Sequence, residues 1–306
     1  MNNEIYELII LGAGPAGTAA GVYAGRKKIK TLLITEGFGG QATVAGQIEN
    51  IIGHPLRAGV DLAMAFERHL KAVGMEMVID RISGVKKNGE LFEISTPNNG
   101  NFQTKNILIA LGSQHRTLGV ATEEKFKGRG VNYCSTCDAP LYKDKVVAVV
   151  GGGNSGFDAI IDLLPYASKI YLLELSDHLN GDPVTEEKIR SNPKIDVIVG
   201  ARVLEIKGGA MVEGLVYQSL KTQEKKDLVV QGVFVEIGMK PNVELFKDWL
   251  QLLPTGEVVV DPLSGRTSLN GIWAAGDVTS LPYKQINVAM GDGIRALLDI
   301  YGKLRK

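Results

Sequence analysis

Residues 7–17 of this 306-residue chain read ELIILGAGPAG, and residues 145–156 repeat the pattern as KVVAVVGGGNSG. In each stretch a short aliphatic run leads into a G-x-G-x-x-G turn, and a helical segment follows. The first glycine permits the sharp turn, the second lets backbone N–H groups approach a pyrophosphate, and the third lets the helix pack against the strand. The two stretches therefore predict two dinucleotide-binding units, although an ordinary glycine-rich turn is the alternative for such a motif taken alone.

An acidic residue follows each turn at the offset expected for a carboxylate that binds an adenosine ribose. Glu36 lies 24 residues after Gly12, and Glu174 lies 23 residues after Gly151. A carboxylate at Glu174 suits the free 2′-hydroxyl of NADH and repels the 2′-phosphate of NADPH, which would require a basic partner. Residues 175–180 contain no arginine. The sequence therefore favours NADH over NADPH at the second site.

The only two cysteines of the chain, Cys134 and Cys137, form a C-x-x-C pair that is followed by Asp138. Such a pair performs reversible disulfide chemistry or supplies half of a metal site. A zinc site needs two more ligands, and no cysteine remains while the four histidines occur singly, so we expect no metal. A dithiol between two nucleotide sites indicates an electron relay: a carrier binds one site, a prosthetic group fills the other, and the disulfide receives the electrons.

The composition argues against several other classes of protein. Lysine plus arginine and aspartate plus glutamate number 34 each, so no net charge favours nucleic acid or an anionic membrane as a partner. No apolar run approaches the roughly 20 residues of a membrane helix, and the N-terminus lacks the pattern of a signal peptide. We therefore expect a cytoplasmic location, where a C-x-x-C pair is more often redox-active than structural.

Two further segments contain candidate ligand-binding residues. Gly37, Gly39 and Gly40 suggest backbone that is pressed against a flat or bulky group, although a plain surface turn is the alternative. Asp277 follows a glycine at the end of an apolar strand, where its carboxylate could hold a sugar-like hydroxyl or cap a helix. Gln285 opens the final helix, whose N–H groups would face an electron-rich ring edge.

With these segments placed, the whole chain resembles the low-molecular-weight thioredoxin reductases. It resembles even more closely the reductase core of the alkyl hydroperoxide reductase flavoprotein subunit. The resemblance rests on six motifs, namely GAGPAG at 12–17, GGQ at 39–41, CSTCD at 134–138, GGGNSG at 151–156, AGD at 275–277 and PYKQI at 282–286.

This resemblance implies an α/β fold of two Rossmann-like dinucleotide-binding domains, each with three ββα layers, the second inserted into the first. The implied FAD-binding domain comprises residues 1–114 and 242–306, and the NAD(P)-binding domain with the C-x-x-C pair comprises residues 115–241. The FAD-binding residues would be Gly12, Gly14, Pro15, Ala16, Gly17, Glu36, Gly39, Gly40, Gln41, Asn50, Gly276, Asp277, Gln285 and Ile286. The NAD(P)H-binding residues would be Gly151, Gly153, Asn154, Ser155, Gly156 and Glu174.

The resemblance also implies a mechanism and a partner. Cys137 would lie nearer the flavin, Cys134 would attack the partner, and Asp138 would transfer protons. The inserted domain would swing about links near residues 113–116 and 239–242. The partner would be a thioredoxin- or glutaredoxin-like protein disulfide, and the protein would be a homodimer.

The chain departs from thioredoxin reductases at several positions. Leu173-Glu174-Leu175 replaces their usual His-Arg-Arg cluster, and Gly156 replaces their usual alanine. Both changes resemble the peroxide-reductase flavoprotein, an NADH enzyme. That flavoprotein carries an additional N-terminal thioredoxin-like region, whereas this chain starts at the FAD strand, so we expect the partner disulfide on a separate protein. Ala139 replaces a usual glycine. Two alternatives remain open: ferredoxin or another non-nicotinamide donor for the same chemistry, and a non-catalytic flavoprotein redox sensor.

Overall fold

The computed structural model describes residues 4–44, 48, 50–53 and 57–305. The chain divides into two compact units. Unit 1 comprises Met1–Gln114 and Lys240–Lys306, and unit 2 comprises His115–Met239. The return to unit 1 was predicted after residue 241, and the structure places it after Met239.

The α-helices are α1 (Pro15–Arg26), α2 (Gly59–Ala72), α3 (Glu123–Phe126), α4 (Ser135–Asp138), α5 (Asn154–Leu163), α6 (Pro183–Ser191) and α7 (Ile286–Leu304). The strands of unit 1 and of the crossings are β1 (Ile5–Tyr6), β2 (Leu8–Ala13), β3 (Thr31–Phe38), β4 (Glu76–Ile79), β5 (Gly84–Asn88), β6 (Leu91–Thr96), β7 (Gly100–Thr104), β8 (Ile107–Ile109), β9 (Ser113–His115), β18 (Met239–Pro241) and β19 (Ile272–Ala274). The strands of unit 2 are β10 (Val131–Asn132), β11 (Val146–Val150), β12 (Lys169–Leu173), β13 (Ile195–Ile198), β14 (Ala201–Gly208), β15 (Val212–Ser219), β16 (Lys225–Leu228) and β17 (Gly232–Val235). Short 3₁₀ turns occupy Gly40–Val44, Ala139–Tyr142 and Gly276–Val278.

Unit 1 is a parallel sheet between a helical layer and a second sheet. The parallel strands lie in the order β19-β8-β2-β3-β4, and the second sheet has the order β1-β7-β6-β5. Alternate residues of β2 face opposite sides, as the period of two in a strand requires. Leu8 and Ile10 pack toward α1 and α7, whereas Ile9 and Leu11 pack toward Phe92 of β6.

Unit 2 repeats this arrangement. Its parallel sheet has the order β10-β17-β11-β12-β13, and an antiparallel sheet has the order β14-β15-β16. Val147 and Val149 of β11 pack with Phe157 of α5, whereas Ala148 and Val150 pack with Leu215 of β15. Each unit therefore has helix, parallel sheet and antiparallel sheet as three layers, which confirms the predicted α/β fold class.

The structure differs from the sequence-based expectations mainly at helix ends. The helices after the glycine turns were predicted to begin at residues 18 and 157, but they begin at Pro15 and Asn154, directly after Gly14 and Gly153. Helix α6 was not predicted, although Asp182 caps it by accepting from the backbone N–H of Thr185. Residues 258–260, predicted as strand-like, form only isolated bridges at Val258. Across the described ranges, no helix combines the length and the apolar surface needed to cross a membrane.

The contact between α1 and α7 gives a test of how unit 1 is held together. A Cβ at Gly293 of α7 would lie 2.1 Å from the backbone oxygen of Ala16. We expect Gly293→Ala to destabilise unit 1 by about 1–3 kcal/mol, because the two helices must move apart. The matched control is Gly291→Ala on the same helix, where an added Cβ meets open space and alanine favours the helix. Thermal unfolding would contradict the packing argument if both variants had the same midpoint.

Candidate functional site

The first glycine turn is fixed by close backbone contacts. Gly12 has φ +101°, and a Cβ there would lie 2.5 Å from the backbone oxygen of Ala110. A Cβ at Gly17 would lie 1.9 Å from the backbone oxygen of Gly12. The first and third glycines are therefore required by the fold itself, as the motif predicts.

The amino end of α1 is left open for a ligand. Gly14 is the N-cap residue in extended conformation and has no side chain to bond the first-turn N–H groups, and Pro15 follows it. Gly39 donates its N–H to the oxygen of Ala13 at 2.9 Å, and a Cβ at Gly40 would lie 3.3 Å from the Cα of Gly14. The loop with the exposed Gln41 therefore lies against this helix end, where free N–H groups and the helix dipole favour an anion.

Residues from both ends of the chain meet beside this turn. Gly276 has φ +76°, and a Cβ there would lie 2.9 Å from the Cβ of Ala16. Asn50 donates from Nδ2 to Oε1 of Gln285 at 3.0 Å, and Asn287 donates to the backbone oxygen of Asn50 at 2.7 Å. The structure thus brings Ala16, Asn50, Gly276 and Gln285 into one region of unit 1, and it adds Asn287, which the sequence had not indicated.

Charged groups surround the predicted carboxylate Asp277. Burial raises the pKa of Asp277, and the nearby Lys284 ammonium opposes that shift. Lys284 donates to the backbone oxygens of Leu281, at 2.7 Å, and Thr279, and burial lowers its pKa. Lys284 lies within the PYKQI motif but was not among the predicted site residues. The adjacent Ile286 begins α7 and packs against a small apolar cluster of Ala42, Ile48, Ile51 and Leu62.

The two predicted ribose-binding acids are not structurally equivalent. Leu11 lies opposite Ile34 in unit 1, and Val150 lies opposite Leu173 in unit 2. The residue after each pair is therefore Thr35 in unit 1 and Glu174 in unit 2. Thr35 Oγ1 accepts the N–H of Ala13 at 3.2 Å, and Glu174 Oε2 accepts the N–H of Gly152 at 2.6 Å. Glu36 lies one residue further along β3 and is exposed, which accounts for the offsets of 24 and 23 residues.

The second glycine turn has the same construction as the first. Gly151 has φ +123°, a Cβ there would lie 2.2 Å from the backbone oxygen of Glu236, and a Cβ at Gly156 would lie 1.8 Å from the oxygen of Gly151. Gly153, the N-cap of α5, faces open space. Asn154 accepts the N–H of Asp182 at 2.8 Å, and the next residue, Ser155, is exposed.

Hydrogen bonds hold Glu174 as a carboxylate at the rim of this turn. Besides the bond from Gly152, it accepts the N–H of Ser176 at 2.8 Å and the hydroxyl of Ser176 at 2.6 Å. Burial opposes ionisation of Glu174, but these hydrogen bonds outweigh it and lower the pKa. The second turn therefore presents a fixed negative charge.

Cys134 and Cys137 form a disulfide in unit 2, with their Cα atoms 5.4 Å apart. Cys134 is the N-cap of the one-turn helix α4, and both cysteines are half-buried. Burial raises the pKa of Asp138 to about 6, so its carboxyl group can gain or lose a proton near neutral pH. Among the described residues, no group of three or more His, Cys, Asp and Glu side chains is arranged to hold a metal ion.

Two carboxylates near the disulfide were not identified from the sequence. Asp162 of α5 accepts hydrogen bonds from the hydroxyls of Ser135 and Thr136, the two residues between the cysteines. Burial, together with the charges of Asp162 and Asp158, raises the pKa of Glu236 to about 8. Neither carboxylate belongs to a recognisable motif, because their proximity to α4 and to the Gly151 turn arises only in the folded chain.

The raised pKa of Asp138 predicts a pH-dependent effect on stability. Its folded-state pKa of about 6 exceeds the ordinary value of 3.8, so ionisation costs stability as the pH rises through this interval. We expect Asp138→Asn to raise the thermal midpoint by about 2–6 °C at pH 8 and to change it little at pH 4. The matched control is Asp248→Asn at an exposed position. An equal gain at both pH values would contradict the predicted burial cost.

Comparison with known proteins supports a family assignment. The family model for pyridine nucleotide-disulphide oxidoreductase matches residues 6–293. The chain is 41% identical, over 98% of its length, to a flavoprotein-type relative from Pseudomonas aeruginosa that is named as a component of alkyl hydroperoxide reductase. It is 37% identical to an NADH dehydrogenase of Bacillus subtilis over 99% of its length. The chain spans only 58% and 59% of those two proteins.

A solved structure is similar over the whole chain. The crystal structure of thioredoxin reductase from Streptococcus pyogenes superposes with a TM-score of 0.92 at 32% identity, and the match covers 99% of both chains. The match to the family model includes both glycine turns and the C-x-x-C pair. The chain therefore belongs to the pyridine nucleotide-disulphide oxidoreductase family.

Proposed function

We propose that this protein is a thioredoxin reductase-like flavoenzyme that moves electrons from NADH, through FAD and the Cys134–Cys137 dithiol, to the disulfide of a thioredoxin- or glutaredoxin-like protein. The observation that carries the proposal is the disulfide itself, which joins the only two cysteines of the chain and lies in the same unit as the second glycine turn. A nucleotide turn and a disulfide within one unit of this family support disulfide reduction rather than a structural role for the bond.

The residues at the first site fit FAD. The open amino end of α1 and the close approach of Gly40 to Gly14 form a narrow backbone cradle that suits a pyrophosphate. The residues assigned to the pyrophosphate are Gly12, Gly14, Pro15, Ala16 and Gly17. Those assigned to the adenosine ribose, the ribityl chain and the isoalloxazine are Glu36, Gly39, Gly40, Gln41, Asn50, Gly276, Asp277, Gln285 and Ile286. The Asn50–Gln285 hydrogen bond supports their joint assignment.

The second site suits a nicotinamide dinucleotide with a free 2′-hydroxyl. The residues assigned to it are Gly151, Gly153, Asn154, Ser155, Gly156 and Glu174. Glu174 is held as a carboxylate by Gly152 and Ser176, so it can accept ribose hydroxyls but repels a 2′-phosphate. This fixed charge supports NADH as the donor.

The protein's own residues then perform the disulfide chemistry. When bound, the two cofactors supply hydride transfer and a two-electron reductant. The Cys134–Cys137 disulfide takes up two electrons and two protons and opens to two thiols. Asp138 follows Cys137 and, with a pKa of about 6, can give a proton to one thiolate and remove a proton from the thiol that attacks the partner. Cys134 is assigned as that attacking thiol by family likeness.

The proposed partner disulfide lies outside these residues, because the 306-residue sequence contains no third cysteine. The names of the relatives, a thioredoxin reductase and a component of alkyl hydroperoxide reductase, support a thioredoxin-like partner. A homodimer and a cytoplasmic location stay predictions.

Replacing either cysteine tests the proposed relay. We expect Cys134→Ser and Cys137→Ser each to lower NADH-dependent reduction of a thioredoxin-like disulfide by about a thousand-fold or more, because a lone thiol cannot complete the exchange. FAD binding should persist in both, as judged by the visible absorption spectrum. NADH-dependent ferricyanide reduction serves as the internal control for the steps that do not need the disulfide. Protein-disulfide reduction retained in either variant would disprove the assignment.

The donor preference can be tested at the rim of the second turn. Anaerobic stopped-flow mixing should show faster bleaching of the flavin absorbance by NADH than by NADPH. Leu175 is exposed next to Glu174, so we expect Leu175→Arg to raise the ratio of kcat/KM for NADPH to that for NADH about ten-fold. Leu175→Gln, which adds polarity without charge, should leave that ratio unchanged. Absence of bleaching with both nucleotides would instead favour ferredoxin or another donor.

A further inference from the structure

We infer that Asp162 is a positioning residue for the redox disulfide, and that it stabilises the disulfide relative to the dithiol. The inference rests on the proposed function in one respect, namely that Cys134 and Cys137 interconvert between these two states. Asp162 lies outside every motif of the sequence, in the last turn of α5.

Both residues between the two cysteines bond to the same atom of Asp162. Ser135 Oγ donates to Asp162 Oδ2 at 2.9 Å, and Thr136 Oγ1 donates to the same oxygen at 3.0 Å. Ser135 is buried, so loss of the acceptor would leave its hydroxyl without this partner inside the protein. Hydrogen bonds to an ionised acceptor are stronger than those between neutral groups.

Helix α4 depends on such external contacts for its position. It has four residues, which is far too short for a helix to be stable on its own. Its N-cap residue, Cys134, has its side chain in the disulfide rather than in a cap. When the disulfide is reduced, the covalent closure of this turn is lost, and the bonds to Asp162 remain to hold Ser135 and Thr136.

The helix that carries Asp162 is a rigid support. Phe157, Ile160 and Leu163 of α5 are fully buried in the core of unit 2. The amino end of the same helix follows the glycine turn of the second nucleotide site. Asp162 therefore fastens the disulfide to the element on which the nucleotide turn is built.

This support has a definite effect on the redox equilibrium. With glutathione, the protein disulfide and two GSH give the protein dithiol and GSSG, so two electrons and two protons pass from the two GSH to the two cysteines. If α4 is held in place, the two thiols of the reduced protein stay close together, and re-forming the bond costs less conformational entropy. The negative charge of Asp162 also disfavours a thiolate in the reduced state. Both effects favour the disulfide, so removal of Asp162 should make it easier to reduce.

The experiment measures the oxidised fraction of the purified FAD-containing protein in glutathione buffers of graded GSH-to-GSSG ratio. Thiols are trapped with iodoacetamide and counted by mass spectrometry. We expect Asp162→Ala to lower the equilibrium constant for oxidation about five-fold. The double variant Ser135→Ala/Thr136→Val removes the two donors instead and should give a similar decrease. It also keeps the test available if Asp162→Ala does not fold.

Two comparisons separate positioning from a general loss of charge. Asp158→Ala removes a carboxylate from the same helix, also close to Glu236, without touching α4, and should change the constant less than about two-fold. Combining Asp162→Ala with Ser135→Ala/Thr136→Val should lower the constant little further, because the partners act as a unit. An unchanged constant in Asp162→Ala, an equal decrease in Asp158→Ala or fully additive decreases would each overturn the inference. The measurement requires neither NADH nor a partner protein, so its failure is distinct from failure of the cysteine variants in protein-disulfide reduction.

Discussion

The contact on which both units depend is the close approach of a helix to the glycine turn that precedes it. Gly17 and Gly156 lie so near the carbonyl oxygens of Gly12 and Gly151 that a Cβ would be within 1.9 and 1.8 Å of them. This approach brings α1 and α5 against the ends of β2 and β11 and leaves the first N–H groups of each helix open. The same backbone geometry thus closes the packing and creates the two anion-binding ends.

Unit 1 is completed only by the last part of the chain. Strand β19 pairs with β8, and α7 packs against α1 so closely that Gly293 lies on the backbone of Ala16. Ordering segments so distant in sequence costs chain entropy, which the apolar core shared by α1, α7 and the parallel sheet offsets. The candidate FAD site depends on this closure, because Gly276 and Gln285 reach Ala16 and Asn50 only when both chain ends are in place.

Unit 2 concentrates partly buried carboxylates around the disulfide and the second turn, and their environments divide them by role. Burial keeps Asp138 and Glu236 readily protonated, with pKa values of about 6 and 8. Hydrogen bonds have the opposite effect on Glu174, whose pKa they lower. A proton donor beside the disulfide and a fixed anion at the nucleotide turn therefore arise from the same residue type, since solvation and hydrogen bonding set each pKa.

The sequence alone determined the three-layer α/β fold class and the family likeness, because the aliphatic strands and glycine spacings have local causes in sterics and periodicity. It also located the C-x-x-C pair, since the chain holds only two cysteines. Only the tertiary structure showed that Thr35, rather than Glu36, corresponds to Glu174, because strand register is set by pairing between distant segments. The bonds from Ser135 and Thr136 to Asp162, some 27 residues away, likewise needed the folded chain. Their formation depends on how α4 packs on α5, and no local pattern encodes that contact.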